Sequence, residues 1–456
     1  MNEVKVYANE HFSAFVSDLE ALVRIPSISF AGFPPEAVKA SAQAVAGHLA
    51  EAGLENVEIL TVPGAHPYVY ADWLHAPGKP TLLLYAHHDV QPPGRAELWR
   101  SPPFEPTHRD GRLFGRGAAD DKAGIIVHTA AIISYLRTRG RLPVNVKLVI
   151  EGEEETGSAH LATFLETYRA RLDADVIVLT DTANFDTGVP SITTSLRGMI
   201  VCEVEVRVMD HSLHSGMWGG PIPDPVMALA KMVGALVDAS GRIAVPGMYD
   251  DVRPLSKIEA HSFESLAYDE ARFRRETMVN DGVALVGGEA APAVKLWRLP
   301  ALSVNAIQAS SRKGAGNIIN DSAWCRLSLR TVPDMDTTAT ARQLTDFLRA
   351  QAPWGVSVTL KCDENTSWWL TDSSHPVFAK ALAALTEAFG REAVIIGAGG
   401  SIPFVMPFTQ ALGGVPALLI GVEDPYTNAH SENESVDLED LRKSIIGAIG
   451  LYESLA

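Results

Sequence analysis

Short apolar runs alternating with helix-length segments constrain this chain more than any other feature. Residues 81–86 (Thr-Leu-Leu-Leu-Tyr-Ala) form an apolar run of strand length, as expected for a strand buried on both faces. Residues 144–150 and 175–180 read the same way. Between them, residues 123–136 and 158–168 read as helices. Earlier, Val38, Ala42, Val45 and Leu49 fall on one helical face of residues 35–52, and Gly53 supplies a stop. Parallel strands need crossovers of helix length, so the alternation predicts a mostly parallel sheet with helices on both faces. No apolar run approaches the roughly 20 residues that cross a bilayer. The charged, interrupted N-terminal stretch does not read as a signal peptide.

Near Ser191 the texture changes. Residues 198–208 alternate with the two-residue period of a half-buried antiparallel strand, with Cys202, Val204, Val206 and Val208 on one side. A helix at 226–237, strands at 302–310 and 323–330, a helix at 337–350 capped by Asp336, and a strand at 356–361 follow. Two strand-and-helix units on an antiparallel sheet predict a ferredoxin-like α+β domain. Residues 240–299 are weakly periodic and support no assignment. From His375 the α/β texture resumes, with helices at 376–389 and 438–455 and strands at 394–396 and 417–421. The expected organisation is an α/β domain, residues 1–190 and 372–456, interrupted by an α+β domain over 191–371, with hinges near Ser191 and Thr371.

Composition narrows the function class. With 38 Lys and Arg against 55 Asp and Glu, the net charge of −17 argues against nucleic acid and anionic membranes as partners. The three cysteines, Cys202, Cys325 and Cys362, are far apart and lack a Cys-x-x-Cys spacing. They predict free thiols, no disulfide, and a cytoplasmic location.

In open α/β sheets, ligands gather where strands end at their carboxyl edge. The run 81–86 ends in His87-His88-Asp89, the strand 144–150 in Glu151-Gly-Glu-Glu154-Glu155, and the strand 175–180 in Asp181. Later come Ala429-His430-Ser-Glu-Asn-Glu434 and, at the mouth of a helix, Asp120 in Gly-Arg-Gly-Ala-Ala-Asp-Asp-Lys. Singly, each has a plainer reading: a structural histidine, a solvated acidic run, a helix N-cap. Together, five segments bring carboxylates and imidazoles to one rim, where the acids would repel without a cation. The pattern therefore points to a metal site.

The stretches His87-x-Asp-Val-Gln-Pro, Gly-Arg-Gly-x-x-Asp120-Asp-Lys, Glu-Gly-x-Glu154-Glu155-x-Gly-Ser and Ala-His430-Ser-x-Asn-Glu resemble the signature set of the M20 metallopeptidases, closest to carnosinase-like dipeptidases. Leu213-His214-Ser-Gly-Met-Trp-Gly-Gly, Trp297-Arg-Leu-Pro, Leu329-Arg330-Thr-Val-Pro and Gly399-Gly-Ser401-Ile-Pro403 extend the likeness over nearly the whole chain. The resemblance implies two divalent metals, zinc or else manganese, with His87 and Asp181 on one, Glu155 and His430 on the other, and Asp120 bridging. It implies a metal-bridging water as nucleophile, Glu154 as general base, and Asp89 hydrogen-bonded to the His87 ring. It also implies a cis peptide between Asp120 and Asp121. His214 would reach the active site of the partner subunit in a homodimer formed through the inserted domain. Asn317 and Arg330 match positions that contact substrate, and Arg330 suits a terminal carboxylate. Ser401, in a Gly-rich turn beside the rim, reads as a further substrate contact through its backbone and hydroxyl. His88 reads as structural and Glu153 as bystander surface.

The chain departs from that family at Gly397-Ala398, where a polar pair is usual, at Ile318-Ile319-Asn320, where relatives often have Val-Ile-Pro, and at Ala123, where Gly is usual. None of these removes an expected ligand or the base. The implied activity is hydrolysis of the amide bond of dipeptides. The alternatives are an N-acyl-amino-acid deacylase using the same site, and a non-catalytic binding protein that keeps the fold.

Overall fold

The strand Thr81–His87 lies between Asn145–Glu151 and Val176–Leu179, parallel to both, and is buried along nearly its whole length. The computed structural model describes residues 2–362, 366–402 and 404–456. Pro403, which ends the Gly-Gly-Ser-Ile-Pro stretch, lies outside them. Two units emerge: Met1–Thr194 with Thr371–Ile396 and Pro403–Ala456, and Ser195–Leu370 with Gly397–Ile402.

In the first unit, Ala417–Leu419 continues the parallel set beside Val176–Leu179, while Tyr68–Trp73 and Glu55–Leu60 add antiparallel strands at the opposite edge. The sheet is thus mixed, with its parallel strands at the centre. Strand alternation sorts side chains to two faces. Leu82, Leu84 and Ala86 join Val146, Leu148 and Ile150 in a core shared with the helices Lys122–Arg139, Pro376–Phe389 and Leu438–Leu455. On the other face Tyr85 stacks on Phe404 and Tyr68 on Phe164, with ring centroids 4.3 and 3.9 Å apart. Helices therefore cover both faces, as the alternation predicts. A small antiparallel sheet of Thr107–Arg109, Arg112–Phe114 and Ser435–Asp437 ties the loop before Asp120 to the segment after His430.

The second unit follows the order strand, helix, strand, strand, helix, strand. Gly198–Arg207 sits between Ser322–Thr331 and Ser357–Cys362, and Ala301–Gln308 forms the far edge, all antiparallel. That is the ferredoxin-like arrangement. Ile200, Cys202, Val204 and Val206 pack with Cys325, Leu327 and Leu329 against residues of the helices Pro225–Gly234 and Thr337–Ala350. The weakly periodic segment holds three short helices, Lys257–Ser265, Glu270–Thr277 and Pro292–Trp297. A buried ion pair between Arg298 and Glu259 ties the first of them to the end of the third.

The expectation of free thiols fails at two of the three cysteines. Cys202 and Cys362 are direct cross-strand partners and form a disulfide, leaving Cys325 buried and free. Their sequence separation of 160 residues hid the pairing, and the cysteine argument for a reducing, cytoplasmic setting goes with it. Among the described residues, no helix is long and apolar enough to cross a membrane.

Candidate metal centre and active site

Asp120 turns its two carboxylate oxygens toward two different imidazoles. Its Oδ1 lies 3.0 Å from His87 Nε2, and its Oδ2 lies 3.0 Å from His430 Nε2. Asp181 Oδ1 stands 4.0 Å from His87 Nε2, and Glu155 Oε2 stands 3.2 Å from His430 Nε2. Two groups of donor atoms result, His87–Asp120–Asp181 and Asp120–Glu155–His430, each with its atoms within 4.8 Å of one another. All five residues belong to the first unit. Imidazole nitrogen with carboxylate oxygen is a donor set that suits zinc.

The charge balance fits a cation as well. Burial raises the Glu155 carboxyl to about 7, and the Asp120 charge adds to the rise. Burial raises Asp181 to about 6, helped by Asp120. Glu154 is pushed well above the usual carboxylate range by burial and then by Asp181, with Glu155 and Asp120 adding to it. His430 is raised to about 11 by its hydrogen bonds to Asp120 and Glu155. At His87, burial alone would lower the imidazolium, but Asp120 and Asp89 outweigh it and raise the group well above its ordinary value. Protons are thus held where a divalent ion would do the same neutralising work.

Backbone and side-chain hydrogen bonds fix this geometry. Asp89 lies close to the His87 ring, as the resemblance implies, though its carbonyl oxygen (3.1 Å from Nδ1) is nearer than its carboxylate (3.5 Å). The carboxylate accepts from Ser29 Oγ at 2.6 Å and from the backbone N–H groups of Glu154 and Glu155 at 3.2 and 3.1 Å. Gln91 donates from its backbone N and its Nε2 to Glu155, at 3.0 and 2.7 Å. The peptide between Asp120 and Asp121 is cis. His430 takes a left-handed backbone conformation, φ +60, a strained state for a residue with a Cβ.

Sequence reasoning passed over several supporting residues. Glu434 is fully buried and accepts from Gly117 N, Ala119 N and Asp120 N at 3.0 to 3.2 Å, and from Arg116 Nη1 at 2.6 Å. It therefore holds the loop that presents Asp120. Glu423 follows the strand Ala417–Leu419, and burial plus the charges of Asp120 and Asp181 raise its carboxyl well above the usual range. Its position after a parallel strand was the available signal.

Glu153 corrects the sequence reading. It is 2% exposed, not surface. Its carboxylate accepts from His66 N (3.2 Å), Tyr68 Oη (3.2 Å), His160 N (2.9 Å) and the His160 ring (3.0 Å). Tyr68 and Tyr85 also donate to Glu151, at 3.1 and 2.6 Å, on the sheet face that carries Phe164 and Phe404. His88 is buried, with Nε2 3.0 Å from the Pro67 carbonyl oxygen, and burial lowers it to about 4, so it stays neutral.

The remaining candidates lie in the second unit and fall into two pairs. His214 is exposed. It pairs with Ile318 across a short two-stranded ladder, and Ser215 N donates to Asn317 O at 2.9 Å. Arg330 Nη1 donates to Ser401 Oγ at 3.0 Å.

Comparison with known proteins places the chain. Residues 83–447 match peptidase family M20/M25/M40. A cysteinylglycine-S-conjugate dipeptidase of Corynebacterium striatum is 33% identical over 78% of this chain and 77% of that protein. The human Beta-Ala-His dipeptidase is 31% identical over 84% of this chain and 76% of its own length. The crystal structure of human carnosine dipeptidase 1 superposes with a TM-score of 0.83 at 28% identity, covering 99% of this chain and 98% of that one. The chain belongs to peptidase family M20/M25/M40 and is a hydrolytic peptidase.

Proposed function

We propose that the protein is a dinuclear metallo-dipeptidase that hydrolyses the amide bond of a dipeptide, with Glu154 as general base. The observation that carries this reading is the shared carboxylate of Asp120, whose two oxygens serve two separate donor groups. His87 and Asp181 would hold one ion, Glu155 and His430 the other, and Asp120 both, with zinc the best match to these donors and manganese the alternative. Bound there, the ions would supply Lewis acidity and lower the pKa of the attacking water. Glu154 receives a proton on its carboxylate as the attacking water adds to the carbonyl carbon, then returns it to the departing amine nitrogen. Asp89 orients both the His87 ring and the turn that carries Glu154.

His214 donates to the developing oxyanion of a substrate bound by the partner subunit, and Asn317, Arg330 and Ser401 bind substrate. The inserted unit is then both lid and dimerisation domain. Support for a homodimer through it comes from Met217 and Trp218, just after His214, which are 73% and 52% exposed. The names of the curated relatives favour a dipeptidase over the N-acyl-amino-acid deacylase.

The test is metal analysis together with a substrate screen. Purified protein should hold about two divalent ions per chain and cleave free dipeptides in preference to N-acetylated amino acids. Glu154→Gln should lower kcat by about a thousandfold while the metal remains. Full activity of Glu154→Gln, or preference for N-acetylated substrates, would overturn the reading.

A further inference from the structure

Among the described residues, two cations of the second unit stand together without an anion. Arg197 is 9% exposed, so most of its guanidinium is out of water. The chain around it is zipped to the Gly399–Ser401 turn. Arg197 N donates to Gly400 O at 3.1 Å, Arg197 Nε donates to Gly399 O at 2.9 Å, and Ser401 Oγ donates to Arg197 O at 2.6 Å. A Cβ on Gly399 would stand 2.9 Å from Arg197 Nη2, so only glycine leaves the guanidinium its place. Ser401 Oγ also accepts from Arg330 Nη1 at 3.0 Å, which links both arginines to one hydroxyl.

Among the described residues, no carboxylate pairs with either guanidinium. Burial, and then the charge of Arg330, pull Arg197 down to about 10. Burial lowers Arg330 too. Both remain charged at neutral pH. Arginines withdrawn from water are costly unless an anion meets them, and like charges this close add repulsion. A single carboxylate would cancel one charge and leave the other.

We propose that Arg197 and Arg330 form a dianion subsite, and that the enzyme prefers dipeptides whose C-terminal residue is Asp or Glu, one carboxylate for each guanidinium. The planar fork of an arginine suits a carboxylate at two points, which gives the site direction as well as charge. Arg197 thereby becomes a specificity-determining residue. The inference rests on the dipeptidase reading, because it assigns the anion to the substrate's C-terminal residue.

The decisive comparison sets Ala-Glu against Ala-Gln, which differ in charge and hardly in shape. The metal-loaded protein should show a kcat/KM ratio of about tenfold or more in favour of Ala-Glu. Independently of turnover, calorimetry should find glutarate bound about tenfold tighter than butyrate. Arg197→Gln should bring both ratios close to one, and Arg197→Lys should retain part of each. Equal rates on Ala-Glu and Ala-Gln in the unmodified protein overturn the proposal, as do ratios unchanged in a folded Arg197→Gln protein. Should Arg197→Gln fail to fold, the ratios of the unmodified protein decide alone. Hydrolysis of neither dipeptide, with glutarate still favoured, sinks the dipeptidase reading and upholds the subsite.

Discussion

Replacing Glu153 by Ala tests whether the acidic run after Glu151 is a solvated face or a buried support. The change removes the acceptor of two backbone amides, His66 N and His160 N, and of the His160 ring, while Tyr68 keeps Glu151. The orphaned donors are only part-buried, so each costs toward the lower end of about 1–3 kcal/mol, and the loss in stability should be roughly 2–4 kcal/mol. For a unit of this size that lowers Tm by about 5 °C or more. Glu153 also opens the turn that carries Glu154 and Glu155, with its carbonyl accepting from Thr156 N and Ser158 N. Loosening the turn's entry should lower kcat by about tenfold with KM within about twofold, since the reacting groups lose alignment and not affinity. Glu153→Gln keeps an acceptor and should recover more than half of both losses. Glu97→Ala, at an exposed acid, should stay within about 0.5 kcal/mol of the unmodified protein. Thermal denaturation and steady-state kinetics on one dipeptide read all three variants. A Glu153→Ala protein within about 1 kcal/mol of the unmodified one, with unchanged kcat, would refute the reasoning.

Three other expectations follow from the structure. Denatured, unreduced protein should expose one alkylatable thiol, Cys325, and reduction should expose all three; three without reductant would rule out the Cys202–Cys362 bond. Burial holds His128 at about 4 in the folded state, below its ordinary 6.5. The unfolded chain therefore takes up the proton first, and stability should fall as pH drops from about 6.5 to about 4, with His128→Gln flattening that slope; an unchanged slope contradicts it. Mixing His214→Ala with Glu154→Gln protein should restore part of the activity if each site borrows His214 from its neighbour. Proven subunit exchange without recovery would show that it does not.

The parts of the fold legible in the sequence were those written as local pattern. Residues 81–86 and 145–151 are buried strands because apolar runs of that length fit nowhere else. The helix Thr337–Ala350 begins where Asp336 can accept from Ala339 N. The rim logic brings together the segments that carry His87, Asp120, Glu155, Asp181 and His430, because each follows a strand or opens a helix, while the choice of these five as ligands comes from the resemblance. What stayed hidden depends on partners scattered along the chain. Glu153 looks solvated until His66, Tyr68 and His160 surround it, and Glu434 looks like the tail of a motif until the 117–120 amides converge on it. Cys202 and Cys362 needed strand register to meet. Arg197 gives no signal, because nothing local in a sequence reveals that a charge has no counterion among the described residues.

The carboxylate of Asp89 joins what three distant stretches of chain must agree on: the hydroxyl of Ser29, the ring of His87 beside it, and the amides of Glu154 and Glu155. An Asp89→Asn change would therefore act in two places through one atom pair, weakening an imidazole's hold on its proton and slackening the amides beneath the base. Any rate lost at that position is a composite. Separating its parts takes a second substitution at Ser29, which shares the carboxylate but touches neither the ring nor the turn.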